Sequence, residues 1–129
     1  MQYLSEEWID ALDAAARTDA SLQELAAQDD LLLEHTIRRP DGTDTVFHLD
    51  MRGDTPRVHR GSAASASVRM TTDLDTATAI ARGELSARLA FLRGNLRIGG
   101  DVRALMTHRD VLTRLGDVFA SVRARTTWP

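Results

Sequence analysis

Four consecutive segments of this chain alternate apolar and polar residues, and this alternation constrains the fold more than any other feature of the sequence. The period of two is present at 33–37 and recurs at 47–51, around Val58 and at 66–70. Such alternation predicts β-strands with one buried side and one solvent-facing side. A Pro-Asp-Gly turn at 40–42 separates the first two segments. Together they predict an antiparallel sheet with one face in water.

Helical patterns lie on both sides of these strands. Ser5 is a favourable N-cap for a first helix, and a second short helix is predicted at 21–26. After the fourth strand, we expect Thr72 to cap a third helix and Ser86 to open a fourth one. These helices supply the apolar faces that would cover the sheet.

A fifth strand and a C-terminal helical stripe complete the pattern. Apolar residues alternate at 96–98, and Asp101 then caps a helical region that His108 and Gly116 are expected to break into two pieces. The order of elements predicts an α+β fold with a five-stranded, mostly antiparallel sheet and helices packed on one face. We expect residues 1–129 to form a single domain.

Composition narrows the class of protein without naming a function. The chain has no cysteine, which excludes disulfides, thiolate metal sites and a cysteine nucleophile. No apolar run approaches the roughly 20 residues of a membrane span, and we see no leader, so a cytoplasmic location is expected. Acidic residues concentrate in the first fifty positions and arginines in the remainder. The arginines lack interleaved aromatics, so pairing between the two parts is favoured over nucleic-acid binding.

One motif points to a known family. Residues 83–101 read G-E-L-S-A-R-L-A-F-L-R-G-N-L-R-I-G-G-D. This segment resembles the G-x-L-x-x-x-x-A-F-x-x-G-K-L-x-I-x-G-D signature of the sterol carrier protein type two (SCP-2-like) family, where it follows a strand ending near a Thr-Asp pair. Thr72 and Asp73 supply that pair here, whereas Asn95 stands at the usual lysine position. The specific match, which includes the preceding strand, covers residues 68–101. The rest of the chain matches the family only in the order of its helices and strands. The resemblance is to a stand-alone bacterial member of the family.

The resemblance implies a non-enzymatic carrier that holds a fatty acyl chain, sterol or similar lipid in an apolar tunnel between sheet and helices. No cofactor and no metal are implied. The residues expected to line the tunnel are Phe47, Leu49, Met51, Val68, Met70, Leu74, Ala77, Phe91, Leu92, Leu105, Leu112, Leu115 and Phe119. The alternative is an accessory protein-interaction module with the same fold, whose cavity is filled or vestigial. The sequence cannot separate these two functions, because the volume of a cavity depends on packing throughout the domain.

Three histidines offer a different chemistry. His35, His48 and His59 fall on successive predicted strands, and three imidazoles in a row could bind zinc or copper. However, placing the apolar residues of the first two strands on one face requires a three-residue first loop. That register turns His35 inward, where it could anchor the polar head of a ligand, and turns His48 and His59 to solvent. We therefore favour the polar anchor over a metal site.

Enzyme motifs are missing from the sequence, which contains neither a G-x-S-x-G elbow nor an H-E-x-x-H helix. Paired carboxylates such as Asp73 and Asp75 are explained by a helix N-terminus. The chain is therefore expected not to be an enzyme.

The C-terminal helical region is a candidate lid for ligand entry. Its apolar stripe consists of Leu112, Leu115, Phe119 and Val122. Arg109, Arg114, Arg123 and Arg125 flank it, so an anionic membrane surface or a ligand carboxylate could be attracted there. The simpler reading is a terminal helix that closes the core. We expect a monomer or weak homodimer whose membrane contact is at most transient.

Overall fold

A computed structural model describes residues 1–28, 30–53, 55–107 and 109–129, with only the backbone path at 105, 107, 111–113, 115 and 116. The helices are α1 Glu6–Thr18, α2 Ala20–Ala26, α3 Leu74–Ala81, α4 Ala87–Leu92, α5 Val102–Thr107 and α6 Arg109–Arg123. The strands are β1 Leu32–Arg38, β2 Asp44–Asp50, β3 Arg57–Arg60, β4 Val68–Asp73 and β5 Leu96–Gly100.

The five strands form one sheet in the order β3-β2-β1-β4-β5. Three of the four strand pairs are antiparallel, and β1 with β4 is parallel, so the predicted mostly antiparallel sheet is confirmed. The predicted three-residue first loop is also present: the backbone N–H of Arg39 donates to the carbonyl of Thr43 at 2.8 Å. Gly42 closes that loop at φ +87°, a conformation that side chains disfavour.

The inner face of the sheet carries the apolar residues, and the helices cover it. In β1 and β2, His35 pairs with Phe47 and Leu33 with Leu49, which places all four side chains on this face. The core that they enter also contains Trp8, Leu12, Leu22, Ile37, Val58, Val68, Val118 and Val122. None of the helices that the structure describes is long and apolar enough to cross a membrane.

Helix caps follow the predictions with one exception. Ser5 and Ser86 each accept a hydrogen bond at 3.1 Å from the backbone N–H three residues on, as expected for N-caps. The prediction that Thr72 caps α3 is wrong: Asp73 is the cap, and its carboxylate accepts from the N–H of Thr76. Thr72 instead stays in β4, where its hydroxyl donates to the carbonyl of Asn95 at 2.8 Å. The strand continues one residue further because β5 pairs with it.

The predicted pairing between the acidic and basic parts of the chain is confirmed. Asp13 on α1 accepts from Arg57 Nε at 3.0 Å and from the backbone N–H of Val58 at 2.7 Å, which holds α1 over β3. Asp19, the cap of α2, receives two hydrogen bonds from Arg114 of α6. The arginine and the backbone N–H keep the pKa of Asp13 below its usual range, although burial of the carboxylate opposes this.

The last helix differs from the prediction in one respect. Its backbone runs without interruption from Arg109 to Arg123, so Gly116 does not break it. His108 lies outside the described residues. The chain then returns to its start, where Thr126 accepts a hydrogen bond from Trp8 Nε1 and Trp128 packs on Tyr3 with ring centroids 5.0 Å apart.

Candidate functional site

A cavity of about 350 Å³ lies between the inner face of the sheet and the covering helices. Its volume falls in the range of roughly 300–1,000 Å³ that is typical of small-molecule sites. Most of its wall is apolar. Among the described residues it is lined by Tyr3, Leu33, His35, Phe47, Met70, Ala77, Ile80, Ala81, Ala87, Leu96, Ile98, Phe119 and Arg123.

Strand register explains the sheet side of the cavity. His35 in β1 lies opposite Phe47 of β2 and Met70 of β4, and Met70 in turn lies opposite Ile98 of β5. Because residues paired across a sheet point to the same face, these four side chains form one row across the cavity floor. Helix α3 supplies the facing wall through Ala77 and the turn that follows it.

His35 is the polar member of that row. Its ring centroid lies 5.3 Å from that of Phe47, and its Nε2 atom is buried without a hydrogen-bond partner. Burial lowers the pKa of His35 from 6.5 to about 4, because the imidazolium would lose its hydration. The imidazole is therefore neutral around pH 7. No acidic side chain is present on the described part of the cavity wall that could stabilise a charged ring.

Tyr3 and Arg123 tie the cavity wall to α3. The Tyr3 hydroxyl donates to the carbonyl of Ala77 at 3.3 Å, and burial raises the pKa of this phenol, so it stays protonated. Arg123 of α6 donates from Nε to the carbonyl of Ala81 at 2.7 Å. It is the one positively charged side chain among the described lining residues. The C-terminal half of α3 is thus held by contacts from both ends of the chain.

Five of the residues named from the sequence line this cavity: His35, Phe47, Met70, Ala77 and Phe119. Their role in binding remains a prediction. Leu105, Leu112 and Leu115 were also expected there, and their side chains lie outside the described residues.

Three predicted lining residues belong to the packed core instead. Leu49, Met51 and Val68 are almost fully buried and do not border the cavity. Leu49 pairs with Val58 of β3, the strand beneath α1. Because α1 packs on β3, Leu49 is enclosed by protein atoms and does not reach the cavity.

The other misplaced residues lie on helices. Leu74, the first residue of α3, borders a separate pocket of about 140 Å³ formed with the chain termini. Phe91 and Leu92 are 45% and 68% exposed, because α4 turns Ala90 to the core. A short helix can bury only one face, and in α4 that face carries the small Ala90. We expected Phe91 and Leu92 to face the interior because they are large and apolar, but they lie on the exposed face of α4.

Several lining residues were missed. Leu33, Leu96 and Ile98 alternate with polar residues on strands, so the same inner-face rule could have included them. Ile80 and Ala81 follow Ala77 at helical spacing and could also have been found. The remaining missed residues, for which no sequence signal exists, are Tyr3, Ala87 and Arg123.

The outward-facing histidines form a pair, as predicted. His48 and His59 are directly opposed on β2 and β3, with ring centroids 5.2 Å apart. His35 lies on the opposite face of the sheet, so the three rings do not converge. Over the residues that the structure describes, no cluster of three metal-ligating side chains is present. The prediction of an inward His35 and a solvent-facing pair is confirmed.

The C-terminal arginines have more specific contacts than the lid hypothesis assumed. Arg114 pairs with Asp19 and Asp117, and Arg123 is bound to Ala81. The two carboxylates beside Arg114 make its guanidinium less available to an anionic surface. The lid itself remains a prediction.

The comparisons with known proteins agree with this architecture. The model of the SCP-2 sterol transfer family matches residues 9–113. The Caenorhabditis elegans non-specific lipid-transfer protein-like 1 is 29% identical over 77 residues, which is 60% of this chain and 65% of that protein. This match thus spans just under two thirds of that relative.

Solved structures share the fold. A crystal structure of sterol carrier protein 2 superposes with a TM-score of 0.73 at 20% identity, covering 92% of this chain and 97% of that one. Sterol carrier protein 2 from Yarrowia lipolytica, in its apo form, gives a TM-score of 0.69 at 16% identity, covering 84% and 89%. The family model spans most of the sequence, and the five-stranded α+β architecture agrees with it. The chain therefore belongs to the SCP-2 sterol transfer family.

Proposed function

We propose that this protein binds one apolar molecule in the cavity between sheet and helices and carries or presents it without changing it chemically. The observation that supports this most directly is the cavity itself, whose wall is almost entirely apolar. A close-packed core would leave no such space. Family membership adds lipid binding as the expected activity.

The size of the cavity suggests a ligand of modest length. At about 30 Å³ for each water-sized group, 350 Å³ holds roughly twelve methylene-sized groups. Moving a twelve-carbon chain out of water contributes about 10 kcal/mol, at about 0.8 kcal/mol per methylene. Immobilisation offsets part of this gain, which leaves micromolar or tighter binding within reach. Ala87, at the wall and exposed, marks a point where a longer chain could extend outward.

A substitution that fills the cavity tests the proposal. Met70 lies in the middle of the cavity floor, so Met70→Trp should occupy the space and reduce binding of a fluorescent fatty acid by at least about tenfold. Met106→Trp is the matched control, because Met106 is 71% exposed on α5 and away from the cavity. Circular dichroism should show both variants folded. Equal binding by the Met70→Trp variant and the parent would refute the assigned site.

The second candidate function is an accessory interaction module. Helix α4 supports it, because Leu89, Phe91 and Leu92 expose apolar side chains between Arg88 and Arg93. Exposed apolar side chains that are neighbours on one helix are typical of contact surfaces. Native mass spectrometry of protein purified from cells separates the two functions: a co-purified lipid mass supports the carrier. A ligand-free protein in a stable complex that Phe91→Ser disrupts supports the module.

A further inference from the structure

His35 has hydrogen-bonding capacity that the protein does not use. Its ring lines the cavity in the middle of β1, and its Nε2 atom is buried without a hydrogen-bond partner in the part of the chain that the structure describes. Buried polar atoms in folded proteins almost always have partners, because an unpaired one forfeits its hydrogen bonds with water. An imidazole in this condition on the wall of a binding cavity is suited to a partner that arrives with the ligand.

The chemistry of that partner follows from the ring's surroundings. A neutral imidazole donates from one nitrogen and accepts at the other. A hydroxyl group can satisfy either nitrogen, and a carbonyl oxygen can accept from the one that carries the proton. A carboxylate would have to leave water and become buried beside an uncharged ring, which is costly. Arg123 of α6 is a cation on the same described wall, and the bond from its Nε to the carbonyl of Ala81 leaves that charge in place, so the ring's preference concerns neutral partners.

We propose that His35 hydrogen-bonds a neutral oxygen of the bound molecule, so that this protein selects long-chain alcohols or ketones over hydrocarbons of equal length. The inference rests on the proposed carrier function and specifies the ligand class of the same cavity. It assigns the preference of a largely apolar site for neutral oxygens to one side chain. The apolar wall would then contribute affinity for chain length, and His35 would contribute affinity for the polar group.

Displacement of Nile red by three twelve-carbon probes tests this at pH 7. Dodecan-1-ol and dodecan-2-one should bind the parent about five- to tenfold more tightly than 1-chlorododecane, which is similar in shape but a poor hydrogen-bond partner. In His35→Leu the preference for the alcohol should disappear, while the affinity for 1-chlorododecane stays within about twofold.

Two further measurements separate hydrogen bonding from folding. His35→Gln keeps a donor and an acceptor near the same place, so it should retain part of the alcohol preference. In the parent, the ring ¹⁵N signals of His35 should shift on addition of dodecan-1-ol and stay unchanged with 1-chlorododecane.

The outcomes distinguish this inference from the carrier function. If the alcohol and the chloride bind the parent equally, or if His35→Leu keeps the preference for the alcohol, the inference is overturned and the carrier function stands. If none of the three probes displaces Nile red, the proposed function itself fails.

Discussion

The buried imidazole of His35 should make the stability of this protein depend on pH. Burial lowers its pKa from 6.5 to about 4, so between these values the unfolded chain binds a proton that the folded protein does not. Stability therefore falls as the pH decreases from about 6.5 towards 4. Integrating this difference gives a loss of about 2 kcal/mol at pH 5 and about 3 kcal/mol at pH 4, relative to pH 7.

Replacement of His35 by phenylalanine isolates this contribution. The site is already bordered by Phe47 and Met70, and an aromatic ring of similar shape preserves the contacts on the cavity floor. The variant should lose about 2 kcal/mol less than the parent between pH 7 and pH 5. The carboxylates whose pKa values are lowered, such as Asp13, are unchanged in the variant, so their contribution cancels in the comparison.

Urea unfolding followed by tryptophan fluorescence at pH 7, 6 and 5 measures the free energy of unfolding directly. His59→Phe is the matched control, because His59 lies on the solvent-facing side of the sheet and is partly exposed. The profile of His59→Phe should stay closer to that of the parent than the profile of His35→Phe does. Parallel profiles for the parent and the His35→Phe variant would refute the reasoning, because they would mean that the folded protein protonates this ring as readily as the unfolded chain does.

Two other predictions concern how the elements are held together. Asp13→Ala should lower the free energy of unfolding by about 1.5–2 kcal/mol, because it removes a partly buried ionic hydrogen bond and leaves the N–H of Val58 unpaired. In the control variant Asp10→Ala, which removes an exposed carboxylate, urea unfolding should show a loss of less than about 1 kcal/mol. Similar losses for the two variants would show that Asp13 does not hold α1 on the sheet. Gly100→Ala should lower the thermal midpoint more than Gly42→Ala, although both glycines have positive φ. An added Cβ at Gly100 would lie 2.4 Å from a neighbouring backbone oxygen, whereas Gly42 faces open space, so equal shifts would contradict the close approach of the two strands.

The strands and their facing were predictable from local pattern. A one-residue shift in register would move every apolar side chain of a strand to the opposite face, so the alternation in β1 and β2 excludes pairings shifted by one residue from the observed one. That pairing required a three-residue loop, and it placed His35 inside and His48 outside, as the structure shows. The signature at residues 83–101 identified the family through the order of short helix, strand and glycine turn.

The location of the cavity was only partly predictable. The alternation of apolar and polar residues along a strand predicts which side chains lie on the inner face of the sheet, and it places both Leu49 and Met70 there. Which of them borders empty space depends on how closely a helix packs above it, and α1 is held against β3 by contacts between residues more than forty positions apart. Met70 lies where the covering elements leave a gap.

Helix α4 is a second case in which local pattern does not determine which side chains are buried. Local hydrophobicity favours burying Phe91 and Leu92, yet Ala90 is the residue in contact with the core. Tyr3 and Arg123 reach the cavity from the two ends of the chain, and no local pattern could have placed them there. The amino-acid sequence thus determined the strands, their register and the family, because these follow from local periodicity and turn chemistry. The tertiary structure alone decided the shape and polarity of the cavity, because a void is a property of packing between distant segments.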